Sequence, residues 1–217
     1  IITSSLSLKK ENQLIDRIKE KIKNSSSKFY WVCPLIEESE ELDLKAAEER
    51  YKILKKYFKN KVLLMHGRLS EIEKEEIMTK FKNEDYKILV STTVIEVGVD
   101  IPSATTIVIE HAERFGLAQL HQLRGRVGRN DIQSYCILLH KDNIGEISKQ
   151  RINIMKQTND GFKIAEEDLK IRGPGEILGK KQSGSPSFYV ADLSFDYDLL
   201  EDAKNMVEEI LSKNPQL

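Results

Sequence analysis

The 217-residue sequence is poor in cysteine and contains no long apolar run. Its two cysteines, Cys33 and Cys136, lie in apolar stretches, which excludes a disulfide framework and favours a reducing, cytoplasmic setting. No apolar run approaches the ~18 residues that a membrane-spanning helix needs, so we expect no membrane partner. The net charge of -1 excludes a polycationic tail and restricts any nucleic-acid site to a local patch.

A phosphate-binding loop is also missing. Such a loop reads G-x-x-x-x-G-K-[ST], and its backbone amides and lysine hold nucleotide phosphates. The nearest approach starts at Gly173 and fails, because five residues separate it from Gly179 and Lys181 stands where Ser or Thr should hold a metal ion. We therefore expect that the chain alone cannot form a complete nucleotide site. Its first residue is Ile rather than Met, which indicates a fragment of a longer protein.

Apolar spacing predicts alternating strands and helices over about the first 140 residues. Helical spacing occurs at 9–23 and from Leu44 to Phe58, and Ser70 with Glu73 forms a capping box at the start of a third helix. The predicted strands are 29–36, 61–65, 87–91, 105–110 and 134–139. Strands that alternate with helices pair in parallel, so we expect an α/β fold with a doubly wound, mostly parallel sheet.

The character of the sequence changes after residue 144. Two short helices are predicted at 147–156 and 162–170, and a Thr-Asn-Asp-Gly turn joins them. A loop rich in Gly and Pro follows, and an amphipathic helix closes the chain. We therefore expect two domains. Residues 1–144 carry the sheet, and residues 145–217 form a helical hairpin, a loop and a terminal helix.

The most informative segment is 122–129, which reads Q-L-R-G-R-V-G-R and follows a helical pattern. Its glycines permit close approach of the backbone to a ligand, and guanidinium groups bind phosphate bidentately. Such an arginine cluster suits the charge of a transferring phosphoryl group. On arginine content alone, a solvated basic helix end explains the segment equally well.

A second segment, 91–102, places hydroxyl groups at the end of a predicted strand. Thr92 and Thr93 suit contacts with a phosphodiester backbone, and Asp100, which follows Gly98, suits ribose hydroxyls. The alternative is a strand followed by an ordinary Asp-Ile-Pro turn.

These segments resemble the motifs of superfamily 2 helicases. The segment 122–129 is similar to motif VI and the segment 91–102 to motif V, and the strand at 31–37 lies where motif IV would lie. His66-Gly67-Arg68 resembles another element of the superfamily that touches nucleic acid. The match of motif VI over five fixed positions makes a chance resemblance improbable.

The tail narrows the resemblance to the bacterial RecG family of fork-remodelling helicases. The peptides N-D-G-F from Asn159, R-G-P-G-E-I-L-G from Arg172 and Q-S-G from Gln182 resemble the segment that follows motif VI in that family. The stretch 110–121 is similar too. A related hairpin and loop occur in Mfd-like transcription-repair coupling translocases, but the Pro after Gly173 favours RecG. Residues 1–27 add little to the resemblance.

The resemblance implies a RecA-like fold and a place in a larger enzyme. The chain would be the second RecA-like motor lobe, with its tail, of an ATP-dependent DNA helicase that remodels branched double-stranded DNA in recombination and repair. ATP and Mg²⁺ would be bound mainly by the first RecA-like lobe of the same parent chain. That lobe and the wedge domain are absent from this sequence, so we expect the fragment alone to be inactive as an ATPase.

The resemblance also implies roles for individual residues. The charge on the γ-phosphate would be stabilised by Arg126 and Arg129, with Arg129 as the finger. The remaining binding residues fall into a nucleotide set, Gly98, Asp100 and Gln122, and a DNA set, Arg68, Thr92 and Thr93. Two further arginines, Arg114 and Arg124, are interpreted as ordinary helix-surface charges.

A coupling role is expected for three polar residues of the tail, Arg151, Arg172 and Gln182. Loops with several glycines beside a motor site are candidates for moving parts. Hydrogen bonding between Arg151 and Gln182 would let closure at motif VI displace the loop along DNA. The alternative is that the tail merely packs against the flank of the lobe.

Two other functions stay open at this point. One is the equivalent lobe of an Mfd-like translocase. The other is a non-enzymatic nucleic-acid-binding module, against which the near-zero net charge argues weakly, because phosphate contacts need concentrated Lys and Arg.

Overall fold

The computed structural model describes residues 1–34, 40–92, 101–129, 131–172 and 206, with the backbone alone at 40–43 and 172. The strands in these ranges are β1 (Ile2–Ser7), β2 (Lys28–Val32), β3 (Val62–Met65), β4 (Ile88–Ser91), β5 (Ala104–Ile109) and β6 (Tyr135–His140). The α-helices are α1 (Glu11–Asn24), α2 (Glu40–Phe58), α3 (Glu71–Asn83), α4 (Leu117–Arg124), α5 (Glu146–Gln157) and α6 (Gly161–Arg172). None of these helices is both long enough and apolar enough to cross a bilayer.

The strands form a six-stranded sheet in the order β1-β6-β5-β2-β4-β3, and every pairing is parallel. The doubly wound parallel α/β fold predicted from the sequence is therefore confirmed. In a parallel sheet all strands end at the same side. We call that side the carboxyl edge and the opposite side the amino edge. Ligands of such folds bind outside the carboxyl ends of the strands, so the two edges matter for the site.

Strand β2 shows how helices cover both faces of the sheet. All of its residues are buried, as expected for a continuous apolar run in a parallel sheet. Trp31 lies in one core cluster with Leu14 of α1 and Leu54 of α2. The neighbouring Tyr30 points to the other face, where its ring centroid lies 5.6 Å from that of Phe81 of α3.

The sequence predicts five strands and misses β1. This strand pairs with β6 in parallel from Ile2 to Ser7. It lies at the end of the sheet and has only one neighbour, so it needs little apolar surface, and none of its residues is fully buried. Three of its six residues are serines, so it lacks the run of β-branched and aromatic residues that predicts a strand. Residues 1–27 thus contribute an edge strand and α1 to the sheet domain.

Several local predictions are confirmed. The capping box at the start of α3 is present, because the Glu73 N–H donates to Ser70 Oγ (3.3 Å) and the Ser70 N–H donates to Glu73 Oε2 (2.8 Å). The predicted hairpin helices are α5 and α6. Strand β2 ends at Val32 rather than at residue 36.

The chain divides into two compact units, Ile1–Ile164 and Ala165–Leu217. The domain division into 1–144 and 145–217 stays a prediction. The Gly/Pro-rich loop and the terminal helix predicted from the sequence lie outside the described residues, apart from the helical and exposed Met206.

Candidate nucleotide and nucleic-acid site

Helix α4 carries the predicted motif VI and ends in a tight turn. Its apolar side chains Leu117, Leu120 and Leu123 are buried against the domain. The last helical hydrogen bond joins the N–H of Gly125 to His121 O (3.0 Å). The next two amides donate to carbonyls only three residues back, and this tighter turn ends the helix. We call residues 125–129 the arginine loop.

The arginine loop turns its two candidate catalytic side chains toward solvent. Arg126 is half-buried and Arg129 is exposed, and Gln122 on the preceding turn is exposed as well. Arg129 Nε donates to Gly125 O at 3.4 Å. The structure thus brings three of the predicted site residues together at the end of one helix.

Gly128 gives the arginine loop its path. Its φ is +79°, a left-handed conformation that L side chains rarely adopt, and a Cβ here would lie 2.6 Å from Ile1 Cγ1. Ile1 precedes β1, and the Ile2 N–H donates to Ser134 O just before β6 (2.9 Å). The arginine loop therefore lies at the amino edge of the sheet.

The interpretation of Arg124 as a helix-surface charge is wrong. This side chain is only 2% exposed. Its Nη1 donates to Met155 O (2.8 Å) and Thr158 O (2.9 Å), and its Nη2 lies 3.1 Å from His121 Nδ1. The spacing of Leu117, Leu120 and Arg124 on one helix face could have predicted the burial. Arg114, by contrast, is exposed.

His121 is the neutral partner of Arg124. A guanidinium group only donates hydrogen bonds, so His121 Nδ1 must accept from it. Burial, and then the positive charge of Arg124, lowers the pKa of His121 below its ordinary value. Burial also lowers the pKa of Arg124, which nevertheless stays charged at neutral pH because a guanidinium titrates far above it.

The carboxyl edge holds the described part of the predicted DNA site. Thr92 follows β4 and the tripeptide 66–68 follows β3, and these strands are neighbours with Met65 beside Ser91. Thr92 is buried and Arg68 is exposed. Within the described residues, His66 Nδ1 and the hydroxyls of Ser91 and Thr92 are buried with no hydrogen-bond partner. Such groups are usually satisfied in folded proteins, so these three require hydrogen-bond partners beyond the described residues.

The two sets of candidate residues lie at opposite edges of the sheet. The arginine loop is at the amino edge, whereas Arg68 and Thr92 are at the carboxyl edge. This separation follows from the parallel pairing, because Arg68 follows a strand and the arginine loop precedes β6. Four further predicted site residues, Thr93, Gly98, Asp100 and Gln182, lie outside the described residues, and Arg172 is described only as the last residue of α6.

A largely buried ion-pair network at the carboxyl edge is not predicted from the sequence. Glu110, directly after β5, is mostly buried, accepts a hydrogen bond from Trp31 Nε1 (3.0 Å) and pairs with Arg50 of α2. Arg50 also pairs with Glu11 of α1. Burial opposes the charge of Arg50, but the two carboxylates outweigh it and raise the pKa of Arg50. The network ties both helices to the end of β5.

No local signal could have identified this network, because its members are far apart in sequence. Arg50 is 39 residues from Glu11 and 60 residues from Glu110. Each residue alone is typical of a solvated helix or strand end. Its contacts are structural, since both carboxylates and the guanidinium satisfy one another inside the domain.

Two family models match the chain. The helicase conserved C-terminal domain matches residues 9–131, and the C-terminal part of domain 3 of the ATP-dependent DNA helicase RecG matches residues 158–217. The first match contains β2 to β5 and the arginine loop and begins before α1. The family match therefore includes part of residues 1–27, which we expected to add little to the resemblance.

Curated relatives match along nearly the whole chain. The ATP-dependent DNA helicase RecG of Aquifex aeolicus is 51% identical over 223 residues, covering 100% of this chain and 28% of the relative. RecG of Bacillus subtilis is 50% identical over 206 residues, covering 91% of this chain and 30% of the relative. The chain thus spans less than a third of the length of these relatives.

A solved structure of RecG bound to a three-way DNA junction is also similar. It is 46% identical with a TM-score of 0.70, and the match covers 93% of this chain and 26% of that chain. Domain 2 of the DEAD-box helicase Mss116p, bound to an RNA duplex, has a TM-score of 0.57 at 20% identity and shares the fold alone.

Proposed function

We propose that this chain, which belongs to the family of helicase conserved C-terminal domains, is the second RecA-like motor lobe of a RecG-type ATP-dependent DNA helicase. In the parent enzyme it would help to remodel branched double-stranded DNA, such as stalled forks and Holliday junctions, in recombination and repair. Identity near 50% to RecG helicases supports this function, and the RecG domain match at residues 158–217 favours it over an Mfd-like translocase.

The observation that carries the proposal is the arginine loop. Arg126 and Arg129 extend from a short loop whose path is fixed by Gly128 and by the end of α4. Preorganised cations stabilise charge that develops on a transferring phosphoryl group, because they need no rearrangement during the reaction. Arg129 is the more exposed of the two and therefore the better candidate for a finger that reaches a nucleotide held by another lobe.

Other residues complete the nucleotide site in this proposal. Gln122 reaches solvent one turn before the arginine loop and would link motif VI to the cleft between the lobes. Gly98 and Asp100 would contact the nucleotide sugar. ATP and Mg²⁺ would be held mainly by the first RecA-like lobe, since this sequence lacks the phosphate-binding loop. When bound, Mg²⁺ would neutralise phosphate charge together with the arginines.

The DNA contacts are proposed at the carboxyl edge. Arg68 supplies an exposed positive charge there, and the hydroxyl of Thr92, which has no hydrogen-bond partner within the described residues, would donate to a phosphate oxygen. Thr93 would extend the same contact. The RecG structure bound to a three-way junction supports branched DNA as the substrate. The first motor lobe and the wedge domain of the parent chain would complete the DNA-binding surface.

The Arg129→Ala variant of the full-length enzyme tests the proposal. We expect DNA-stimulated ATP hydrolysis to fall by about 10³-fold or more, with ATP affinity nearly unchanged, because a finger acts on charge present in the transition state. Arg114→Ala removes another exposed arginine and is the matched control. If affinity for ATP falls in proportion to the rate, Arg129 binds the ground state and the assigned role is wrong.

A further inference from the structure

Helix α4 ends in a charged side chain that is almost completely buried. Arg124 is one of the largest fully buried side chains of the domain, between the apolar Leu123 and the arginine loop. Burying a charge is unfavourable unless its hydrogen bonds are satisfied. An apolar side chain could be buried here without that free-energy cost. The hydrogen bonds of the guanidinium group therefore indicate why an arginine is present.

The guanidinium of Arg124 caps helix α5. Its Nη1 donates to Met155 O at 2.8 Å and to Thr158 O at 2.9 Å. The last carbonyls of a helix have no partners within the helix and carry partial negative charge, so a buried cation is well placed there. The other terminal nitrogen of the guanidinium group, Nη2, donates to His121 Nδ1 at 3.1 Å.

The backbone of Arg124 is in turn hydrogen-bonded to the arginine loop. The carbonyl of Arg124 accepts the Val127 N–H at 3.2 Å, and the carbonyl of Leu123 accepts the Arg126 N–H at 3.1 Å. A displacement of Arg124 would therefore move the loop. The same residue thus touches the carboxyl end of α5 through its side chain and the arginine loop through its backbone.

We propose that Arg124 is a positioning residue, which anchors the arginine loop to the end of α5 and so holds Arg126 and Arg129 in their reactive placement. The inference rests on the proposed function of those two arginines. It assigns to Arg124 no contact with nucleotide or DNA.

The surroundings of His121 support the anchor. A Cβ at residue 161 would lie 3.1 Å from His121 Nε2, so Gly161 lets the turn after α5 approach the imidazole closely. Asn159 Nδ2 of the same turn donates to Ile1 O at 3.1 Å, and Ile1 packs against Gly128 of the arginine loop. The turn at 158–161 therefore lies close to His121, which precedes the arginine loop, and contacts Ile1, which lies against Gly128 of that loop.

The test compares Arg124→Met and Arg124→Lys with Arg114→Met in the full-length enzyme. Misplacing catalytic groups by about 1 Å can lower a rate by about 10²-fold, so we expect Arg124→Met to lower kcat for DNA-stimulated ATP hydrolysis by about that factor. The KM for ATP should change by less than about threefold, because only transition-state contacts are lost. Arg114→Met makes the same chemical change at an exposed site and should keep the parent kcat.

Arg124→Lys provides a second, milder variant. An ammonium can donate to both carbonyls of α5 but lacks the planar fork that also reaches His121. We expect its kcat to lie between those of the parent and of Arg124→Met, with KM unchanged. If Arg124→Met does not fold, the kcat of Arg124→Lys tests the proposal instead. An Arg124→Lys enzyme with the parent kcat would then overturn it.

Thermal unfolding of each variant separates positioning from stability. An Arg124→Met enzyme that is folded at the assay temperature and retains the parent kcat overturns the positioning role. Arg129→Ala, assayed in parallel, keeps this outcome distinct from a failure of the proposed function. If Arg129→Ala loses hydrolysis and Arg124→Met does not, only the positioning role fails. If Arg129→Ala hydrolyses ATP normally, the role of the arginine loop itself is wrong.

Discussion

Replacement of Gly128 by Ala should destabilise the sheet domain by an amount that the structure allows us to work out. The left-handed conformation at φ +79° costs a non-glycine residue about 1–2 kcal/mol. The added Cβ would also lie 2.6 Å from Cγ1 and 2.9 Å from Cδ1 of Ile1. Because these atoms end a side chain that can rotate, we expect the contact to add no more than about 1 kcal/mol, the lower end of overpacking effects.

The sum is a destabilisation of about 1–3 kcal/mol for Gly128→Ala. Gly145→Ala is the matched control, because its φ is -63° and no atom lies within 4 Å of the added Cβ. We expect the control to change stability by less than about 0.5 kcal/mol. Gly128→Asn should lie between the two, since asparagine tolerates the left-handed region better than alanine does.

Urea unfolding of the 217-residue chain, followed by tryptophan fluorescence, measures these differences. Trp31 is the single tryptophan and is completely buried in β2, so its emission reports on the sheet. The double variant Ile1→Ala with Gly128→Ala should recover the part of the loss that comes from the side-chain contact. Equal midpoints for Gly128→Ala and Gly145→Ala would refute the reasoning.

Three further predictions concern activity, coupling and reactivity. The purified 217-residue chain should fold but show no ATPase activity, because it lacks the phosphate-binding loop; DNA-stimulated phosphate release from a contaminant-free sample would contradict this. In the full-length enzyme, Arg151→Ala or Gln182→Ala should abolish branch unwinding and spare DNA-stimulated ATPase, because we propose that both residues act in coupling and neither contacts the nucleotide. Unwinding at the parent rate in a stably folded double variant would exclude that coupling. Burial raises the pKa of Cys136 to about 12 and also raises that of Cys33, so neither thiol should react with iodoacetamide at pH 8 until urea unfolds the chain.

Much of the fold could be predicted because its elements follow local rules. Strand β2 is a short apolar run, and the cap of α3 is a Ser with a Glu three residues later, so each is recognisable within a few residues of sequence. Strand β1 could not be recognised in this way. Its assignment depends on pairing with β6, more than a hundred residues away, and its serines carry no apolar period.

The sequence proposes residues for the candidate site but does not give their arrangement. Motif spacing predicts roles for Arg126 and Arg129, which lie together just after the end of one helix. It does not reveal that Arg124 is buried, because the acceptors on α5 are 31 and 34 residues further along the chain. Arg68 and the arginine loop lie at opposite edges because all strands are parallel, and Arg68 follows a strand whereas the arginine loop precedes one.

Burial separates the roles of the three arginines within eight residues of sequence. An exposed charge contributes little to the free energy of unfolding, so we expect that the exposed Arg129 is not needed for the fold. Arg124 differs from Arg129, because a charge with almost no exposed surface must form its hydrogen bonds within the protein. Loss of Arg129 should therefore change the rate and leave the unfolding midpoint unchanged. Loss of Arg124 should change both, and the comparison of rate with midpoint in the two variants distinguishes a residue that reacts from one that holds the reacting residue in place.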